Sequence, residues 1–73
     1  MPTQIVMDAN GDSRHSFDPA DEIELLRAED RFCELLKNGY TAASRNGSGS
    51  VTVTWTFDPA AEETLFYPRL VGG

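Results

Sequence analysis

The residues with the sharpest chemical meaning are Gly72-Gly73, which follow the apolar, proline-containing run Tyr67-Pro68-Arg69-Leu70-Val71. A carboxylate flanked only by glycine can enter a narrow channel of another protein and be activated there, because glycine lets a second backbone come close. The plainer alternative is that small, loosely held residues simply follow the folded part of the chain.

The other reactive side chains do not assemble into a site. His15 and Cys33 are the only histidine and the only cysteine. Zinc needs three or four such ligands, so no metal site is expected. The apolar neighbours of Cys33 on a helical pattern predict a buried, inert thiol, which excludes a Cys–His nucleophilic pair with His15 and suits a reducing cytoplasm. The acids Asp8, Asp12, Asp18, Asp21 and Glu22 lack the ligand spacing and turn glycine of a calcium loop. Glu62 and Glu63 are adjacent and therefore diverge. Asn46-Gly47-Ser48-Gly49-Ser50 has no lysine and leads into a strand-like segment, so it reads as a hairpin connection and not as a phosphate cradle. No catalytic residue, cofactor or intrinsic enzyme activity is expected.

The elements that would carry the Gly-Gly segment can be traced in order. Thr3 to Ala9 reads as a strand, with Ile5 and Met7 on one face and Val6 on the other; Asn10-Gly11-Asp12 is a turn, and Ser13 to Phe17 returns. A helix is expected from Asp18, with Asp18 as its cap and Pro19 at the first helical position. Its buried stripe is Leu25, Ala28, Phe32, Leu35 and Leu36, widened by Leu26 and Cys33. Lys37 lies in the last turn, and Gly39 is placed to leave the helix through the left-handed region. Tyr40 to Ser44 forms a third strand. Val51, Val53, Trp55 and Phe57 alternate with Thr52, Thr54 and Thr56, the pattern of a strand with one buried face, and place Trp55 at the centre of the core. Phe57-Asp58-Pro59-Ala60 repeats Phe17-Asp18-Pro19-Ala20, two passages from a strand into a helical turn. Thr64 to Tyr67 is expected as a final edge strand that ends at Pro68.

These elements make an α+β domain: one main helix packed on a small mixed β-sheet in ββαββ order, with one further strand possible. A β-grasp is one member of this class, and a plain ββαββ sandwich is the alternative. Residues 1–67 form the single domain expected at this length, and residues 68–73 form a flexible C-terminal tail. An apolar content of 40% suffices for a core. No apolar run approaches the ~18 residues of a membrane span, and no signal segment opens the chain.

Charge narrows the choice of partner. Twelve acidic residues face six basic ones, for a formal charge of −6, and nine of the acids fall between Asp8 and Glu34. Nucleic-acid binding requires a concentrated basic footprint, which the scattered Arg14, Arg27, Arg31, Lys37, Arg45 and Arg69 do not supply. A protein partner with a basic patch fits better.

A compact acidic domain with a hairpin, one helix, further strands and a closing Gly72-Gly73 resembles the ubiquitin-like modifiers and the ThiS/MoaD-type sulfur carriers, which share the β-grasp. The resemblance implies a carboxylate at Gly73 that an E1-like activating enzyme adenylates, for conversion to a thiocarboxylate or transfer to an amine. Gly72 would then give access to the channel, and Pro68, Arg69, Leu70 and Val71 would be the recognised tail. Phe57 to Glu63 and Pro68 to Gly73 also resemble small uncharacterised proteins of bacteria and their phages that end in Gly-Gly. Two functions from different classes follow: a non-enzymatic protein-interaction domain, docking by β-addition at Thr64 to Tyr67 or through Leu70-Val71, and a modifier or sulfur carrier activated at Gly73.

Overall fold

The computed structural model describes residues 1–47 and 49–68, and in it five strands form one mixed sheet crossed on one face by one helix. The elements are β1 (Thr3–Asp8), β2 (Gly11–Ser16), α1 (Glu22–Lys37), β3 (Tyr40–Arg45), β4 (Val51–Thr54) and β5 (Glu63–Pro68). The sheet order is β2-β1-β5-β3-β4. β5 runs parallel to β1, with Val6 beside Phe66, and antiparallel to β3, with Ala42 on the other side of Phe66. This is a β-grasp-like architecture, and it confirms the expected helix on a small mixed sheet.

The hairpin turns one residue earlier than expected. Asp8 Oδ1 accepts from the Asn10 amide at 2.7 Å, so the aspartate itself closes the turn around Ala9-Asn10. Gly11 takes the positive φ, +117°, and already belongs to β2.

Asp18 does not cap the helix. Its Oδ1 accepts from the Ala20 amide at 2.9 Å and its carbonyl from Asp21 at 3.0 Å, which closes a turn around Pro19. Asp21 takes the cap instead, accepting from the amides of Ile23 at 2.9 Å and Glu24 at 3.2 Å. The second Asp-Pro-Ala repeats the first turn: Asp58 Oδ1 accepts from Ala60 at 2.9 Å and its carbonyl from Ala61 at 3.2 Å, with β5 following instead of a helix. Each local rule is satisfied within four residues, so neither turn by itself forces a helix. The exit from α1 is as expected, with Gly39 at φ +93° after the cap residue Asn38.

Val6, Phe32, Ala42 and Phe66 make the core between sheet and helix, with Leu35, Leu36, Tyr40 and Phe57 packed around it. A run of aromatic rings threads this layer. Phe66 meets Phe32 at 5.6 Å, Phe32 meets Phe57 at 5.8 Å, and Phe57 meets Phe17 at 5.9 Å. Such tilted and edge-on pairs contribute about 0.5–1.5 kcal/mol each beyond the area they bury. The two Phe-Asp-Pro-Ala segments thus meet through their phenylalanines.

Four expectations about burial and order are corrected. Cys33 is exposed, as is Leu26. At 100° per residue Cys33 points about 100° from Phe32 and about 140° from Ala28, the two buried helix residues, and Leu26 about 120° and about 160°. Trp55 is 73% exposed and is not the core centre. β4 stops at Thr54, whose hydroxyl donates to the Thr56 carbonyl at 2.9 Å, and this bend carries Phe57 into the helix layer while Trp55 stays outside. Val51 and Val53 are exposed because they project from the sheet face opposite the helix, on the outermost strand. Finally, residues 64–67 are not an edge strand. They belong to β5, which lies in the middle of the sheet, hydrogen-bonded on both sides. β-Addition at Thr64 to Tyr67 is therefore ruled out, since their backbone groups are already paired.

Candidate functional site

The position of β5 decides where the last residues leave the domain. Its final residue, Pro68, is exposed and stands in register with Tyr40 at the start of β3. Proline offers no amide hydrogen to the ladder. Because β4 runs antiparallel to β3, its end lies at the same end of the sheet: Thr54 pairs with Ala42, and Trp55 comes next. Leu36, Gly39, Tyr40, Thr41 and Trp55 line a cleft of about 170 Å³ there. The chain thus leaves the sheet at an end with two aromatic residues. Arg69, Leu70, Val71, Gly72 and Gly73 lie outside the described residues.

The remaining reactive side chains are not brought together. Cys33 is exposed on α1, whereas His15 is half-buried on β2, next to Gln4 in register. Asp8, Asp18 and Asp21 spend carboxylate oxygens on turn and cap amides. Glu62 is exposed, and Glu63 pairs with Arg45, its cross-strand neighbour. Among the described residues, no group of three or more His, Cys, Asp or Glu side chains is placed to hold a metal ion. Also among them, no helix is long and apolar enough to cross a membrane. Asn46 and Gly49 bridge β3 and β4 as a hairpin connection, with the Gly49 amide donating to the Asn46 carbonyl at 2.9 Å.

One polar network escaped the reading of the sequence. Gln4 is completely buried on the helix face of β1. Its Nε2 donates to the Ala28 carbonyl at 2.9 Å, and its Oε1 accepts from Arg31 Nη1 at 2.8 Å. A buried amide stays in place only when both its ends find partners; here they tie sheet to helix. The available signal was a glutamine two residues before Val6, on the same face of the strand.

Arg31 also acts on His15. Burial is the larger cause, and the Arg31 guanidinium the smaller, of a His15 pKa below its ordinary 6.5. Protons therefore bind His15 more readily in the unfolded chain. Stability linked to neutral His15 is present above the unfolded pKa and is lost as pH falls through the folded one. Arg31→Gln is expected to raise the His15 midpoint part of the way back, read as a shift of its ring resonances in an NMR pH titration. A midpoint unchanged in the variant would show that the Arg31 guanidinium does not act on the His15 imidazole.

Comparison with known proteins finds no family model, no curated protein and no solved structure that matches the chain.

Proposed function

We propose that this chain is a ubiquitin-like carrier or modifier that works through the carboxylate of Gly73. The observation that carries the reading is the strand order: β5 is paired with β1 as far as Phe66 and with β3 as far as Pro68, so a strand in the middle of the sheet ends with three residues between it and Gly72. Five residues separate Pro68 from the Gly73 carboxylate, a reach of at most roughly 17 Å when extended. That is enough to enter a partner's active site while the domain docks outside. In the reaction the carboxylate attacks the α-phosphate of ATP and releases pyrophosphate. A thiol, a sulfur donor or an amine then attacks the acyl-adenylate and releases AMP. The activating enzyme supplies the catalytic groups, and this chain supplies the acyl group.

Deletion of Gly72-Gly73 is expected to abolish ATP-dependent pyrophosphate release with the activating enzyme of the native host, while leaving the far-UV spectrum unchanged. Intact-mass and tandem spectra of the protein from that host should place a thiocarboxylate, an adduct or an isopeptide bond on Gly73. The reaction needs Gly73 as a free chain end, and the same spectra read this directly. Protein whose Gly73 stays unmodified in the host, and whose binding partners are retained after the deletion, would overturn the carrier reading.

One observation favours the second reading, a non-catalytic interaction domain. Trp55 is 73% exposed, and tryptophan is enriched among the residues that carry the binding energy of protein interfaces. Under this reading Trp55→Ala, and not the tail deletion, removes partner binding.

A further inference from the structure

The two outer strands of the sheet are protected very differently. β2, at one edge, reads Gly-Asp-Ser-Arg-His-Ser, with Asp12 and Arg14 exposed. Charged side chains of this kind keep other strands from adding to an open edge. β4, at the other edge, reads Val-Thr-Val-Thr. It has neither charge nor proline, all four residues are β-branched, and Val51 and Val53 are 52% and 49% exposed. Among the described residues no strand pairs with the outer side of β4, and a β-branched edge without charge or proline is a template for another extended strand.

We propose that β4 pairs with β4 of a second copy of this chain, so that two sheets join edge to edge as one ten-stranded sheet. The pattern of the strand argues for a second copy. Antiparallel pairing about Thr52 sets Val51 opposite the partner's Val53 and Thr52 opposite the partner's Thr52. Valines then meet valines on the face away from the helices and threonines meet on the other, the cross-strand pairs that stabilise antiparallel ladders. A strand with no such symmetry would need a differently patterned partner.

The charge distribution permits this contact despite the −6 of each chain. No charged residue occurs from Ser50 to Phe57. Of the hairpin acids, Asp12 on β2 is four strand spacings from β4 and Asp8 on β1 three, about 19 and about 14 Å, both beyond the ~8 Å over which exposed charges act at physiological salt. The charged pair nearest the seam on that face, Arg45–Glu63, is internally compensated. An interface of one short strand from each copy is small and belongs to weak, reversible association, so the dimer should form at high protein concentration.

Sedimentation velocity over a dilution series tests this. The expected result is a reversible monomer–dimer equilibrium for the unaltered chain. Val53→Lys and, separately, Val51→Lys should lose the dimer boundary at the highest concentration while keeping the unaltered far-UV spectrum, because each site is half exposed and a lysine stem can lie along the sheet. Ile23→Lys, on the exposed side of α1, should dimerise like the unaltered chain. A monomer at every concentration, a dimer that survives both β4 lysines, or a dimer lost in Ile23→Lys would each overturn the proposal.

Discussion

Phe66→Ala is expected to remove about 3–5 kcal/mol of stability, the range for emptying a fully buried phenylalanine site. The side chain is completely buried on the middle strand. It has Val6 on one side and Ala42 on the other, and the Phe32 ring packs over it from the helix. Ala42 is too small to fill the space left behind, and the helix cannot settle onto the sheet without breaking the Gln4–Ala28 bond. A chain of 73 residues has a total stability of about 4–11 kcal/mol, so this single change takes a large part of it. Urea unfolding should show a much lower midpoint with little change in slope. A loss below about 1 kcal/mol would mean that Phe66 is not the centre of the core.

The second large effect separates two aromatic residues that are neighbours in the pattern of the sequence. Phe57→Ala should cost about 2–4 kcal/mol, since its ring stands between those of Phe17 and Phe32 and its loss breaks two of the three ring contacts. Trp55→Ala should change stability by no more than about 0.5 kcal/mol, the usual range for an exposed position. Thermal or urea unfolding of the two variants side by side decides the matter. The opposite ranking would restore Trp55 to the core and contradict the bend at Thr54–Thr56.

That ranking also shows which parts of the fold could be read from the residues. Local rules worked where the deciding partner lies within a few positions: the hairpin near Gly11, the stripe of Ala28 and Phe32, the exit at Gly39, the stop at Pro68. They misjudge Asp18, because an aspartate before proline serves a turn as well as a helix cap, and Asp21, three residues on, offers the same carboxylate to the first helical amides. Alternation made Val51, Val53 and Trp55 look buried, yet alternation names a face and not its covering. Only the pairing of β4 with β3 reveals that Val51 and Val53 lie away from α1, and the bend after Thr54 takes Trp55 out of the alternation. Strand order itself depends on pairings such as Thr3 with Glu63, sixty residues apart, which no local pattern encodes. Cys33 was misplaced by counting its neighbours' hydropathy instead of its angle on the helix. Of the candidate site, only Pro68, the last residue of β5, falls within the described residues; Arg69 to Gly73 lie outside them.

The central place of β5 has a consequence for how the protein is made. The ribosome delivers the hairpin, the helix and the β3–β4 pair first, but β1 and β3 cannot be joined until the strand between them has been translated and released. Until then the nascent chain holds two incomplete sheets with a vacant slot, each bearing an open rim. Productive folding consequently waits for β5 and is slowed by the long loop that β1–β5 pairing must close. Chains interrupted before Glu63 should stay soft and protease-sensitive however much of the helix they contain.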